Sequence, residues 1–188
     1  MDTATDLTLS VQQLMDVLPS LEKLSLELTT LGRHLLYGWN NGKKLLVAGN
    51  GGSAADAMHL AEELSVRFVK NRKALAAIAL CDSSAITCAG NDFGFDTIFS
   101  RQVEALANPG DTLIVFSTSG NSTNLIRAVN AGRDRGATTC AFLGKGGGKL
   151  AGVCDIELII ESDITARIQE CHKVLFHSLC SFVDRHVD

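Results

Sequence analysis

Residues suited to binding an anion follow two apolar segments of the chain, and in both cases a helical pattern begins directly afterwards. The first loop is GNGGS at 49–53 and the second is STSGNS at 117–122. Glycine lets a backbone approach a ligand closely, hydroxyls donate hydrogen bonds, and a helix N-terminus offers free N–H groups to an anion. The two loops therefore predict a phosphate site. A tight structural turn is the alternative for the first loop, and N-capping is the alternative for the second, although one cap accounts for one residue and not for four hydroxyls.

A histidine and a glutamate lie four residues apart in the helical segment that follows the first loop. His59 and Glu63 share one face of that helix, about one turn from each other. Such a pair binds a metal ion together, or divides the tasks of base and proton carrier. An ordinary surface or core contact is the alternative. The position close to the strand ends favours a functional role.

The last helical segment, residues 164–185, carries Gln169, His172 and His177. Gln169 and His177 are eight residues apart, which is about 12 Å along an ideal helix. One straight helix does not easily bring both side chains to one metal ion. A kinked helix would solve this geometry, and so would a His177 contributed by another subunit. Each histidine taken singly also fits a structural role.

Length and composition favour one compact cytoplasmic domain that spans residues 1–188. The chain has 46% hydrophobic and 20% charged residues and a formal net charge of -4, which argues against a general nucleic-acid-binding protein. Its six cysteines include no Cys-x-x-Cys pair and fall in apolar segments, as reduced thiols of a cytosolic protein do. The N-terminus lacks a basic region followed by an apolar run, and no apolar stretch approaches about 18 residues. We therefore expect neither secretion nor a membrane span.

Short apolar runs alternate with longer segments of helical period, the pattern of a parallel sheet with helices on both faces. The five runs are residues 44–48, 75–80, 112–116, 138–143 and 156–160. The last run alternates acidic with apolar residues, as an edge strand does. The predicted fold is an α/β three-layer αβα sandwich with a five-stranded parallel sheet.

Additional helices precede the first strand, in residues about 7–41. Five leucines recur there in steps of three and four: Leu21, Leu24, Leu28, Leu31 and Leu35. This spacing predicts a narrow apolar seam that packs in an oligomer, with packing on the domain's own sheet as the alternative. The basic cluster at 67–73 favours a solvated loop, with a local phosphate or partner contact as the alternative.

The motifs taken together resemble the SIS (sugar isomerase) domain family, and within it the phosphoheptose isomerase branch. The matching segments are GNGGS at 49–53, DAMHLAEEL at 56–64, GNDFGFDTIFSRQVEAL at 90–106, STSGNS at 117–122, and RIQECH at 167–172 with His177. STSGNS by itself identifies only a sugar-phosphate SIS domain. HLAEEL, GNDFGF and RIQE in one chain are specific to the phosphoheptose branch, and the resemblance covers nearly the whole chain.

The resemblance implies a flavodoxin-like fold and a homotetramer with active sites at subunit interfaces. It also implies the interconversion of sedoheptulose 7-phosphate and D-glycero-D-manno-heptose 7-phosphate through a cis-enediol, the first step toward nucleotide-activated heptose for bacterial lipopolysaccharide. Phosphate would be bound by Ser53, Ser117, Thr118, Ser119 and Ser122. The sugar would be contacted by Asn50, Gly51, Gly52, Glu63, Asn91, Asp92 and Gln169.

A zinc ion is also implied by the resemblance, with His59, Glu63, Gln169 and His177 as its ligands. Glu63 and His177 would in addition form the catalytic pair. One residue departs from the pattern of some members of this branch, because Ala166 stands where they carry an aspartate.

Three other functions are less consistent with the sequence. A noncatalytic SIS protein that binds a sugar phosphate or a protein would tend to lack the His/Glu set. A nicotinamide-dependent oxidoreductase would carry an acid about 20 residues after the glycine loop, whereas Asp82 follows about thirty residues after it. The Gly-rich segment 144–149 lacks the Ser/Thr of a P-loop and favours a plain turn.

Overall fold

The computed structural model describes residues 3–188, which form a single parallel sheet with helices on both faces. The strands are β1 (Leu45–Gly49), β2 (Ala77–Ala79), β3 (Thr112–Ser117), β4 (Thr138–Leu143) and β5 (Ile156–Ile159). Their order is β2-β1-β3-β4-β5, and every neighbouring pair is parallel. This is the flavodoxin-like order, so the predicted fold class is confirmed, with β5 at an edge as predicted.

Within residues 3–188, seven α-helices cover the sheet and precede its first strand. They are α1 (Thr3–Val17), α2 (Ser25–Asn40), α3 (Gly52–Ser65), α4 (Ser83–Phe93), α5 (Ser100–Leu106), α6 (Thr123–Asp134) and α7 (Thr165–His186). Helices α2, α3 and α7 pack against one face of the sheet, and α4, α5 and α6 pack against the other. The two resulting hydrophobic clusters confirm the three-layer arrangement. No helix in the described part of the chain has the length and apolar character needed to span a membrane.

The predicted leucine seam is divided by a short 3₁₀ helix, Leu18–Leu24, that contains Pro19 near its start. Leu31 and Leu35 of α2 are buried in the core beneath the sheet, and Leu24 and Leu28 pack against the same cluster. The seam therefore serves the chain's own core. Oligomer formation remains a prediction. Other apolar residues of this region, Leu7, Leu9 and Leu26, are exposed in the single chain.

The amino-terminal edge of the sheet is held by a buried ion pair between Lys44 and Asp111. One carboxylate oxygen accepts from the Lys44 backbone N–H, and the other lies 2.5 Å from Lys44 Nζ and accepts from the backbone N–H of Asn108. Burial alone would raise the pKa of Asp111, but the hydrogen bonds from Lys44 and Asn108 outweigh it and lower that pKa. The pair fixes the starts of β1 and β3, whereas the Gly-rich and Ser-rich loops follow the other ends of the same strands.

The basic segment between α3 and β2 is not simply a solvated loop, and that prediction is wrong for Arg72. The Arg72 side chain is fully buried and forms an ion pair of 2.9 Å with Asp184 of α7. The segment also explains why β2 is shorter than predicted. The Leu75 N–H donates to the carbonyl of Leu64 at the end of α3 and not to a neighbouring strand, so Leu75 lies outside the sheet.

His172 of α7 is buried against the aromatic rings of Phe116 and Phe142, with its Nε2 3.2 Å from the Leu143 carbonyl oxygen. Burial lowers the pKa of His172 from 6.5 to about 4. The imidazole is therefore neutral near pH 7 and donates to that carbonyl. Between pH 6.5 and about 4, His172 is therefore protonated in the unfolded chain and neutral in the folded one.

We expect His172→Phe to reduce the acid sensitivity of the fold. In the wild type, the contribution of His172 to the free energy of unfolding is complete above pH 6.5 and is lost as the pH falls toward about 4. The loss amounts to about 3 kcal/mol at most. Urea unfolding at pH 7, 6, 5 and 4 measures it, and the variant should show the shallower pH dependence. Equal slopes in the two proteins would contradict this assignment.

Candidate functional site

The two candidate phosphate loops lie side by side because β1 and β3 are neighbours in the sheet. The register pairs Gly49 with Phe116, so both loops leave the sheet at the same level. The chain order of strands reverses at this point, which is where open α/β sheets bind ligands. The side-chain amides of Asn50 and Asn124 join the loops through two reciprocal hydrogen bonds of 2.9 Å. Sequence reasoning did not identify Asn124, although its position as the second residue of α6, directly after the second loop, was a signal for it.

A cavity of about 200 Å³ opens between these loops. Its polar lining includes the predicted phosphate-binding residues Ser53, Ser117, Thr118, Ser119 and Ser122, together with Asn50, Thr165 and Gln169. Helices α3 and α6 both begin here, so their N-terminal N–H groups and dipoles favour an anion. Ser122 precedes α6 without a side-chain capping hydrogen bond, so N-capping does not account for this hydroxyl.

Two hydroxyls of the second loop shape the turn and keep a proton to donate. Ser117 Oγ accepts from the Gly120 N–H at 3.0 Å, and Ser119 Oγ accepts from the Asn121 N–H at 3.2 Å. A hydroxyl that accepts one hydrogen bond retains its own O–H for a ligand. The lining can thus supply several neutral donors to a phosphate group.

The Gly-rich segment 144–149 supports the second loop. Residues 145–150 form a kinked turn in which Gly146, Gly147 and Gly148 have φ values of +71°, +85° and +55°. The Leu150 N–H donates to the Gly120 carbonyl, and the Lys149 N–H donates to Asn121 Oδ1. Gly120 has φ +63°, and a Cβ there would collide with the Gly147 carbonyl oxygen. The predicted plain turn is therefore a buttress packed against the phosphate loop.

A second group of polar side chains lies further along α3 and α7. Ligand atoms of His59, Glu63 and His177 are all within 4.8 Å of one another, and His59 Nε2 is 3.0 Å from Glu63 Oε1. All three residues belong to one chain, so His177 needs no second subunit to meet Glu63. Two imidazole nitrogens and one carboxylate oxygen match the donors of known catalytic zinc sites.

Aromatic rings surround His177. The Phe68 ring stacks on its imidazole with a centroid distance of 5.6 Å and an interplanar angle of 24°, and the Phe176 ring lies at 4.5 Å. Burial, helped by the positive charges of His59 and Lys173, lowers the pKa of His177 against the opposing effect of Glu63. His177 is therefore neutral near pH 7. A neutral imidazole is the form that binds a metal ion or accepts a proton.

Gln169 lies near the phosphate loops. It lines the cavity between them, and its Nε2 would be 2.5 Å from a Cβ placed on Gly52. Only glycine at position 52 permits this approach. Eight residues of α7 separate it from His177, which is about 12 Å along the helix.

An ion pair that sequence reasoning missed lies between these two groups. Lys173 follows Gln169 by four residues and precedes His177 by four, so all three share a face of α7. Its Nζ lies 2.5 Å from Oδ1 of Asp56, a buried carboxylate on α3. The four-residue spacing of Gln169, Lys173 and His177 in the sequence was a signal that could have identified Lys173 as part of the site.

Asn91 and Asp92 are both exposed near the end of α4, where Asn91 Nδ2 donates to Asp92 Oδ1 at 2.7 Å. A neighbouring cavity of about 320 Å³ is lined by Asn50, Phe95, Asp96, Ser122, Thr123 and Asn124. Of the described residues in this region, Asp96 and not Asp92 lines that cavity. The roles of Asn91 and Asp92 therefore remain predictions.

Comparison with known proteins identifies similar chains over almost the full length. The SIS domain family matches residues 11–144. A phosphoheptose isomerase of Trichlorobacter lovleyi is 50% identical over 179 residues, which are 93% of this chain and 91% of that protein. The phosphoheptose isomerase structure from Francisella tularensis has a TM-score of 0.94 at 34% identity, and the one from Neisseria gonorrhoeae has 0.91 at 39%. Each covers 98% of this chain and 100% of its own.

We expect the combined substitution of Ser119→Ala and Ser122→Ala to weaken sugar-phosphate binding without unfolding the chain. Each lost hydrogen bond to the charged phosphate should cost about 1.5 to 3 kcal/mol of binding free energy. Calorimetric titration measures the change. The matched control is Ser178→Ala, which removes an exposed hydroxyl on α7. Equal affinities of the double variant and the control would remove both hydroxyls from the site.

Proposed function

Because the chain belongs to the SIS domain family and, within it, to the phosphoheptose isomerases, we propose that it interconverts sedoheptulose 7-phosphate and D-glycero-D-manno-heptose 7-phosphate. The family predicted from the motifs is confirmed by the likenesses described above. One observation carries the proposal beyond the family. Helices α3 and α7 hold a cavity of neutral phosphate donors at one end and the His59, Glu63 and His177 group further along.

The reaction requires two proton transfers. A carbon-bound proton leaves C1 or C2 and returns to the other carbon through a cis-enediol, while a second proton moves between the two oxygens. We assign Glu63 as the carbon base because its carboxylate is only partly exposed and lies beside two imidazoles. His177, neutral near pH 7, would carry the oxygen proton.

The other predicted contacts divide between the two ends of the substrate. Ser53, Ser117, Thr118, Ser119 and Ser122 would bind the phosphate through hydroxyl and backbone donors. Asn50, Gly51, Gly52 and Gln169 would face the sugar next to the phosphate. Asn91 and Asp92 would complete the sugar pocket.

A zinc ion fits the group of His59, Glu63 and His177, because two nitrogens and one oxygen within 4.8 Å of one another form a common zinc donor set. Zinc bound there would polarise the substrate carbonyl and hold its neighbouring hydroxyl. Gln169 lies in the phosphate cavity of this chain, so its part as a fourth ligand stays a prediction. A carboxylate held firmly by zinc is a weaker base, and metal analysis of Glu63 variants separates its two roles.

We further propose a cytoplasmic homotetramer with sites at its subunit interfaces. Several large apolar side chains are exposed in the single chain, among them Leu7, Leu9, Leu26, Val66 and Val69. Leu7, Leu9 and Leu26 lie in the N-terminal helical region that was predicted to pack in an oligomer. The six unpaired cysteines support a reducing compartment.

The proposed reaction is tested by incubation with sedoheptulose 7-phosphate and detection of the aldose phosphate by NMR. Glu63→Gln should still bind the substrate but should not exchange its C1 or C2 proton with deuterated water. Glu62→Gln is the matched control, because it neutralises the adjacent exposed carboxylate. Wild-type exchange in the Glu63 variant would exclude Glu63 as the base. Binding without turnover by metal-loaded wild type would favour a regulatory sugar-phosphate-binding protein.

The position of Glu63 and His177 in one chain leads to a second expectation. Mixed oligomers of a Glu63→Gln chain and a His177→Ala chain should stay as inactive as either parent, because every cluster lacks one of the two residues. Co-expression with two different tags and tandem purification yields verified mixed oligomers. Partial recovery of activity would mean that a working site draws these residues from different chains.

A further inference from the structure

The segment between α3 and β2, residues 66–76, is anchored by the guanidinium of Arg72. Its Nε donates to Asp184 Oδ1 at 2.9 Å, and one terminal nitrogen donates to the carbonyls of Leu64 and Lys73, each at 2.9 Å. The other terminal nitrogen donates to the carbonyl of Glu63 at 2.8 Å. Arg72 thus holds the backbone of the residue whose carboxylate stands in the candidate catalytic group.

Asp184 completes this arrangement from α7. Its second oxygen accepts hydrogen bonds from the backbone N–H groups of Val69 at 3.0 Å and Lys70 at 2.9 Å. Burial alone would raise the pKa of Asp184, but the hydrogen bonds from Lys70, Val69 and Arg72 outweigh it and lower that pKa. Both charged groups are therefore fully partnered.

The two residues connect all parts of the chain that surround His177. Asp184 lies seven residues after His177, two turns further along the same side of α7. Phe68, whose ring stacks on His177, directly precedes the backbone N–H groups that Asp184 binds. The ion pair therefore links Glu63 on α3, Phe68 in the loop and His177 on α7.

We propose that Arg72 and Asp184 are positioning residues of the isomerase site, which hold Glu63 and His177 at the separation that proton transfer and metal binding require. Phe68 acts with them by fixing the plane of the His177 ring. What the site does rests on the proposed function, whereas the positioning itself can be measured without activity. Replacing buried ion pairs by apolar residues is often neutral or stabilising, so stability alone gives little reason for such a pair here.

The test compares Asp184→Asn with Asp111→Asn. Asp111 is also a buried, ion-paired carboxylate with backbone donors, but it lies at the opposite edge of the sheet. The free energy of unfolding is measured for both, and NMR records the ring-current shift of the His177 Cε1 proton. Asp184→Asn should change this shift and lower kcat and the affinity for added Co²⁺ by about tenfold, with KM little changed. Asp111→Asn should leave the His177 shift, kcat and the Co²⁺ affinity unchanged.

A second variant, Phe68→Leu, keeps the ion pair and removes only the stacked ring. It should reduce Co²⁺ affinity even if Asp184→Asn fails to fold; the His177 signal is not the readout here, because loss of the ring current shifts it by itself. An unchanged Co²⁺ affinity in this variant, or equal kcat and Co²⁺ affinity in Asp184→Asn and Asp111→Asn, would overturn the proposal. An inactive wild type would overturn the proposed reaction instead, while the His177 signal would still decide the positioning.

Discussion

The parallel pairing of β1 with β3 places both candidate phosphate loops, and with them the starts of α3 and α6, at the carboxyl ends of the strands. The pairing of Gly49 with Phe116 sets their relative height, and the reciprocal amides of Asn50 and Asn124 hold them at that height. The cavity between them is lined by hydroxyls and amides instead of a fixed cation. Donors of this kind act only at hydrogen-bond distance, so the anion site depends closely on the register of the two strands.

The packing of α3 against α7 relates this anion site to the proposed chemistry. Gly52 meets Gln169, Asp56 meets Lys173, and then His59 and Glu63 meet His177. Each step is about one helical turn on α7 and, from Gly52 through Asp56 to His59, on α3, with Glu63 one turn further, so the spacing between the two ends of the site follows from helix geometry. A larger residue at position 52 would displace the Gln169 amide at the first step.

Two buried carboxylates, Asp184 and Asp111, are each held by a basic side chain and by backbone N–H groups. The Asp184–Arg72 pair lies beyond His177 on α7, and the Asp111–Lys44 pair lies at the starts of β1 and β3. Two histidines of α7, in contrast, carry no charge near pH 7. Burial lowers the pKa of both His172 and His177, so each is neutral near pH 7, one as a structural donor and the other as a candidate ligand and proton carrier. The same physical effect thus supports the core at one position and the proposed reaction at the other.

Local patterns in the sequence were sufficient for the five parallel strands, the two candidate phosphate loops and the family, because apolar runs, glycine turns and contiguous motifs are properties of neighbouring residues. Only the tertiary structure decided that His177 meets Glu63 within one chain, that Gln169 lies with the phosphate loops, and that Arg72 is buried. These facts depend on how α7 lies against α3 and on which partners satisfy a charge from more than a hundred residues away. No local pattern encodes such contacts, because they arise when packing brings distant segments together.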